Sequence, residues 1–259
     1  MRIVRTISML LLLCALTISS KAQSPTQNYV MSKEVLDVGG THAITTVTYY
    51  DGLGNPVETA TNGLGGTGKY AYTLQEHDAL GREKQSWLPG TAQSGCSFVS
   101  PSELSSSLIA FHNDQNPYLL NRYDVLDRQI STLGAGESWH KAKKSVNQRY
   151  SSNESNSVKR YQVSGSGTLE ENGYYAAKSL SMLEETDEDG KTKQTFSDLF
   201  GHKVLERRDG HNDTYYIYDN IGRLRYVLSP SYQEYSDLQK FGYEYRYDKY
   251  GRWVGKRLP

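Results

Sequence analysis

Tyr216-Ile217-Tyr218-Asp219-Asn220-Ile221-Gly222-Arg223 and Tyr245-Arg246-Tyr247-Asp248-Lys249-Tyr250-Gly251-Arg252 are two copies of one pattern, aromatic-x-Tyr-Asp-x-aliphatic-Gly-Arg. Alternating Tyr-x-Tyr suits a strand with both rings on one face of the pleat. Asp starts a turn, because its carboxylate accepts backbone N–H groups two residues on. The aliphatic residue is expected to tuck under that turn. Gly supplies the positive φ that a tight hairpin needs. Arg opens the return strand, where its guanidinium can reach the Asp or stack on a Tyr ring. Each copy therefore reads as a β-hairpin with a defined tip.

Four looser copies precede these two. Tyr49-Tyr50-Asp51-Gly52-Leu53-Gly54-Asn55 has Asn for Arg, and Glu76-His77-Asp78-Ala79-Leu80-Gly81-Arg82 has His for Tyr. Arg122-Tyr123-Asp124-Val125-Leu126-Asp127-Arg128 has Asp for Gly, and Phe196-Ser197-Asp198-Leu199-Phe200-Gly201-His202 has Ser for Tyr and His for Arg. The Asp anchors at 51, 78, 124, 198, 219 and 248 are separated by 27, 46, 74, 21 and 29 residues. The short gaps are single repeats, and the long ones hold degenerate copies or insertions. One hairpin cannot bury a core alone, so the hairpins must stack side by side. The expected fold is all-β: stacked hairpins in a curved, spiralling sheet with one or two short helical insertions.

The pattern resembles that of the RHS/YD-repeat family, and more closely the N-terminal segment of large secreted bacterial RHS-repeat proteins. Thr48-Tyr49-Tyr50-Asp51-Gly52-Leu53-Gly54-Asn55-Pro56, Asp187-Glu188-Asp189-Gly190, Asp213-Thr214-Tyr215-Tyr216-Ile217-Tyr218-Asp219 and Lys256-Arg257-Leu258-Pro259 carry the resemblance. It implies a spiral of hairpins that, in large members, wraps into a hollow shell around a C-terminal toxin or other cargo. This sequence has no long repeat array, no shell-sealing segment and no variable C-terminal region, so encapsulation by this chain alone is not expected.

Composition narrows the function. Lys plus Arg and Asp plus Glu are both 29 of 259 residues, so there is no basic surplus to neutralise phosphates, and a nucleic-acid partner is not expected. Tyr is abundant at 21, against 5 Phe and 3 Trp. Arg2 and Arg5 precede an apolar run over residues 7–18, and Ser20-Lys21-Ala22 supplies small residues for cleavage after Ala22. Residues 1–22 thus read as a Sec signal peptide whose apolar run is too short to span a membrane, and the expected location is secreted or envelope-associated. Removing Arg2, Arg5 and Lys21 leaves 26 basic against 29 acidic residues, a net of −3, and one cysteine, Cys96. A lone cysteine cannot close an internal disulfide, and no Cys-His pairing is visible around it.

The remaining chain divides into an N-terminal arm (23–45) that becomes strand-like near residue 43, the first YD-type hairpins (46–90), an insertion with degenerate repeats (91–180) and C-terminal YD repeats (181–259). Ser100 should cap a short helix, with Pro101 at its first position and Glu103 closing a capping box. Residues 129–180 read as degenerate strands and long loops. Asp189-Gly190 signals a type I′ hairpin, and 230–242 a short helical insertion.

Candidate chemistry is thin. Gly63-Leu64-Gly65-Gly66-Thr67-Gly68-Lys69 imitates a phosphate loop, but Tyr70 stands where Ser or Thr would hold magnesium. Asp187-Glu188-Asp189-Gly190 with Asp198 only hints at a calcium loop, and Asp209, His211 and Asp213 alternate as turn residues do. No metal, cofactor or catalytic residue is assigned. The candidate site is the set of repeat tips: Tyr50, Asp51, Gly54, Asp78, Gly81, Arg82, Tyr123, Asp124, Arg128, Asp198, Gly201, Tyr218, Asp219, Gly222, Arg223, Tyr247, Asp248, Gly251 and Arg252. Trp87, Trp139 and Trp253 could serve as a ligand platform if their faces are open. The expected function is a non-catalytic scaffold of the envelope, with a glycan, an envelope protein or a downstream RHS polypeptide as partner; the alternative is a truncated shell segment of a polymorphic-toxin-type RHS protein.

Overall fold

The computed structural model describes residues 26–62, 70–91 and 95–259. The signal-peptide reading and the glycine loop at 63–69 lie outside the described residues. The chain divides into two compact units, Met1–Tyr118 and Leu119–Pro259.

In the first unit, β1 (Asn28–Val35), β2 (Ala43–Tyr50), β3 (Pro56–Asn62), β4 (Tyr70–His77) and β5 (Glu83–Trp87) pair antiparallel in chain order. The arm thus holds a full strand, because every residue of β1 finds a register partner on β2. Period-two alternation puts Val47, Tyr49, Glu58, Ala60, Tyr72, Leu74 and Trp87 in the buried layer. The cover comes from residues 95–99 and α1 (Pro101–His112), whose Leu104 and Leu108 are fully buried. The Tyr49 hydroxyl donates to the Cys96 carbonyl at 2.6 Å, and that of Tyr72 to the Gly95 carbonyl at 2.5 Å. Ser100 is the N-cap and Pro101 opens the helix, as expected, but the capping box does not form: the Ser100 side chain makes no cap bond. The N–H groups of Glu103 and Leu104 donate instead to the Ser100 carbonyl.

The second unit takes up β6 (Tyr118–Tyr123) at the boundary and continues through β7 (Gln129–Leu133), α2 (Glu137–Ala142) and β8 (Ser145–Ser152). An excursion, β9 (Lys159–Val163) and β10 (Leu169–Tyr174), forms its own two-stranded sheet. The main sheet resumes with β11 (Ser181–Thr186), β12 (Thr192–Ser197), β13 (Lys203–Arg208), β14 (Asn212–Tyr218) and β15 (Leu224–Leu228). Then α3 (Pro230–Tyr235) and α4 (Leu238–Phe241) precede β16 (Gly242–Tyr247) and β17 (Trp253–Arg257). Strand β11 pairs with β8, so the excursion leaves the sheet and returns beside its point of departure.

That excursion is the lid of the second core. Tyr161 packs edge-on against Tyr215 with ring centroids 5.0 Å apart, Tyr226 donates to the Gly167 carbonyl at 2.7 Å, and Val158 is buried with Leu205, Ile217 and Leu228. Buried Asn153 pins its base: its amide donates to the Ala176 carbonyl at 2.8 Å and its oxygen accepts from the Leu180 N–H at 2.8 Å. Residues 129–180 are therefore ordered strands, a helix and a core cover rather than long loops. The all-β reading holds: all the described strand pairs are antiparallel, and the helices are short.

Candidate functional site

The tips share one local design. In the Asp219 copy, the Asp219 N–H donates to the Arg223 carbonyl at 2.9 Å and the Gly222 N–H to the Asp219 carbonyl at 3.0 Å. The Asp219 Oδ1 accepts the N–H groups of Ile221 at 3.2 Å and Arg223 at 3.0 Å, and its Oδ2 accepts the Arg223 Nε at 2.8 Å. This is a type I turn followed by a left-handed residue, the usual three-residue hairpin closure. The copies at Asp51, Asp78, Asp124, Asp198 and Asp248 repeat it, with Oδ1 accepting from the residues two and four positions on at 2.8–3.0 Å. Gly54, Gly81, Gly201, Gly222 and Gly251 all take φ of 79–89°, and Asp127 is held at 61° where the motif has lost its glycine.

The sequence reading missed two further copies. Asp187 accepts from the N–H groups of Asp189 and Lys191, and only Gly190, at φ 83°, is left-handed, so 187–191 is a repeat tip rather than the expected type I′ turn. Ser164 plays the Asp role in the β9–β10 loop, with its hydroxyl accepting from the Thr168 N–H at 3.1 Å. The type I′ geometry is instead at Asp209-Gly210, where both residues have positive φ. A second correction concerns the apolar tip residue. Leu53, Leu80, Leu126, Phe200, Ile221 and Tyr250 are 67–86 % exposed. The Asp side chain fills the inside of the loop, so the apolar residue sits at its apex and points away.

The tip electrostatics follow from this geometry. Hydrogen bonds from the Arg82 and Arg128 guanidinium groups hold Asp78 and Asp124 below the usual carboxylate range, and the Asn55 amide does so for Asp51. Burial would raise Asp219, but the Arg223 N–H and guanidinium outweigh it and the carboxyl is lowered. For Asp248 the Arg252 N–H is the main cause of the lowering. These carboxylates are acceptors committed to their own loops, which leaves them unsuited to proton transfer.

Adjacent copies are stapled together. The His202 ring stacks on Tyr218 of the next copy, centroids 4.6 Å apart, and the Tyr218 hydroxyl donates to the Lys203 carbonyl at 3.2 Å. Arg223 lies 5.1 Å from the Tyr247 ring, whose hydroxyl donates to the Leu224 carbonyl at 3.0 Å. Arg128 lies 4.3 Å from the ring of Tyr150, whose hydroxyl donates to the Gln129 carbonyl at 3.1 Å. At these three junctions the rule is the same: the residue four after Asp covers the next strand's Tyr, and the carbonyl five after Asp receives its hydroxyl. A ring-and-cation contact with a hydrogen bond is worth about 1–2 kcal/mol per junction. The Tyr of Tyr-Asp thus binds the preceding hairpin while the Asp builds its own. Tyr150 belongs to no Tyr-Asp pair, and only its register reveals it. Tyr50 and Tyr123 end β2 and β6 opposite Pro56 and Gln129, across their own tips.

Of the three tryptophans proposed as a platform, Trp87 has no open face. Trp87 is buried against Tyr118, ring centroids 4.7 Å apart, because it closes the first core. Trp139 lies on α2, and Trp253 lies exposed on β17 with its Nε1 donating to the Gly255 carbonyl at 3.0 Å. A cleft of about 580 Å³ in the second unit is lined by Tyr161, Tyr175, Phe200, His202, Tyr218 and Ile221. The adjoining Asp198 and Asp219 carboxylates are bound into their tips. Burial raises the Cys96 thiol pKa, which disfavours the nucleophilic thiolate. Among the described residues no group of three or more His, Cys, Asp or Glu side chains is placed to hold a metal ion, and no helix is long and apolar enough to cross a membrane. Asp213, a ligand candidate on sequence, is held bidentately by Arg207 at 2.7 and 2.8 Å.

No curated protein matches the chain. Its fold is similar to that of a chain in the structure of the Photorhabdus luminescens Tc holotoxin pore carrying the mutation TccC3-D651A, with a TM-score of 0.52 at 12% identity. That match covers 89% of this chain and 11% of the other, so this chain spans about a tenth of its length. A chain of the crystal structure of TcdB2-TccC3-Cdc42 matches at TM-score 0.38 and 12% identity, covering 95% of this chain and 14% of the other. The family model described as domain of unknown function DUF6443 matches residues 20–152, just over half of the sequence, and the chain belongs to that family.

Proposed function

We propose that this protein is a non-catalytic, exported RHS-type scaffold: a wall segment of stacked YD hairpins that joins a larger β-structure built by a downstream RHS polypeptide. The observation that carries this reading is the staple. The copies at Asp124, Asp198 and Asp219 each present a cation or imidazole and a carbonyl that a Tyr of the next strand completes. Such a unit extends a sheet by addition and performs no chemistry itself. The tip carboxylates are spent on structure, the one described cysteine is buried, and the similarity to a much longer Tc holotoxin chain fits a segment of a wall. Export rests on the sequence of residues 1–22. A glycan partner has no comparable support, since Trp87 is closed off inside the core.

The test is capture from the native source. Tagged residues 23–259, recovered from the extracellular fraction, should bring down a polypeptide whose peptides carry repeated Tyr-Asp motifs. Recovery of an isolated chain, with no YD-repeat polypeptide in the eluate, overturns the reading.

A further inference from the structure

We infer that the cleft between the excursion and the tips at Asp198 and Asp219 is a binding site for a quaternary or methylated ammonium group. Its volume of about 580 Å³ is that of a small-ligand pocket. Its rings come from two sources. The tips supply Phe200, His202 and Tyr218, which follow one another with centroids 6.0 and 4.6 Å apart. The excursion supplies Tyr161 and Tyr175. Tyr161 is set by its edge-on contact with Tyr215, and Tyr175 by its own N–H, which donates to the Val158 carbonyl at 3.0 Å.

The charge in this lining is one-sided. Among the described residues it holds two carboxylates, Asp198 and Asp219, and neither lysine nor arginine. Asp219 is offset by the Arg223 guanidinium at 2.8 Å, and an arginine four residues on does the same at the tips of Asp78, Asp124 and Asp248. Asp198 has His202 in that place, with Nδ1 3.0 Å from its Oδ2. A neutral imidazole satisfies a carboxylate as a hydrogen-bond donor and leaves its charge standing. The Asp198 side chain is 26 % exposed, so a ligand can approach it. Its charge reaches Tyr175: burial raises that phenol, the Arg160 charge lowers it and the Asp198 charge raises it again. Arg160 is exposed on β9 and does not line the cleft. Aromatic rings around one carboxylate that no guanidinium offsets select a large, weakly hydrated cation, and the trimethylammonium group is that cation. A calcium-like ion needs many oxygen ligands, whereas the Asp198 oxygens already accept the N–H groups of Phe200 and His202 and the His202 ring. Phe200, exposed at its apex, is covered when such a ligand binds.

The site is independent of the scaffold reading, and its test is separate. Residues 23–259 are titrated with tetramethylammonium and with choline at about pH 8, above the ordinary imidazole range. The control is dimethylbutanol, the uncharged carbon isostere of choline. Both cations should shift the amide NMR signals of Phe200, His202 and Asn220 saturably, and the isostere should bind at least about tenfold more weakly. His202→Arg installs the residue of the other tips, so it should keep the melting temperature while weakening both cations about tenfold or more. Phe200→Ala removes an exposed ring and should weaken them severalfold; a folding defect cannot imitate that effect, so this variant decides if the Arg variant does not fold. Flotation with phosphatidylcholine vesicles, reversed by free choline, would assign the group to a lipid headgroup, and choline binding without flotation to a free solute. Equal affinity for the isostere, full binding by His202→Arg and by Phe200→Ala, or shifts confined to residues outside the cleft overturns the inference.

Discussion

Replacing Asp219 with Ala tests how much one tip contributes. The side chain is 7 % exposed; its Oδ1 accepts two backbone N–H groups and its Oδ2 takes both Nε and Nη2 of the Arg223 guanidinium. Ile221 is exposed, so its freed N–H regains water at little cost. The Arg223 N–H and guanidinium lie deeper, and hydrogen bonds to charged groups contribute about 1.5–3 kcal/mol each before such compensation. A net loss of about 2 kcal/mol follows, at the top of the range for aspartate caps. Asp219→Asn keeps the Oδ1 acceptor and loses the ion pair, for about 1 kcal/mol. Urea unfolding followed by Trp139 and Trp253 fluorescence should move the midpoint by about 1 M for Ala and about half that for Asn, at a slope of about 2 kcal/mol/M. The Asp219 carboxyl is lowered in the folded state. Its contribution is therefore present above the ordinary carboxylate range and fades as pH falls through it, so the wild type should lose its advantage over Asn in acid. Two results would refute the reasoning: Asn costing as much as Ala, or Asp187→Ala, in an exposed loop, costing as much as Asp219→Ala.

The other tips and cores give three further tests. Asp127→Gly should stabilise the second unit by about 0.5–1 kcal/mol, because Asp127 holds φ 61° where the other copies use glycine; a thermal melt reads it. Tyr247→Phe keeps the ring under Arg223 and loses the bond to the Leu224 carbonyl, which should lower stability by about 1 kcal/mol and speed exchange at the β15–β16 junction. Glu58 is buried with the Val99 N–H as its hydrogen-bond donor, and burial raises its pKa from 4.5 to about 7. The folded state then holds the extra proton between those values, so stability falls as pH rises from about 4.5 to 7 and stays low above. Glu58→Gln should flatten that slope and raise the melting temperature at pH 8, with a gain on the order of 2–3 kcal/mol; an unchanged slope from pH 5 to 8 refutes it.

The spacing of Tyr, Asp, Gly and Arg was enough to specify the hairpin, since every bond that closes the tip lies within five residues of the Asp. Local chemistry of that kind is legible in order along the chain. The same locality misled at 187–191, where Asp189-Gly190 outweighed the Asp two residues earlier, and at the tip apex, where an apolar residue was given a burial that the loop cannot offer. The staples were only half legible. Arg over Tyr is a sequence-level pairing, but its reach to the following copy and the carbonyl acceptors depend on register across strands. The lids were not legible as lids, although Ser100 and Pro101 marked the helix of the first one. Residues 95–112 carry no repeat and 153–180 only the Ser164 copy, yet they cover the two cores, because hairpin sheets this short must hide one face against something. Whether Trp87 would be a platform or a core residue was decided there too: the sequence made it an aromatic on a strand, and only the packing of Tyr118 against it put it inside.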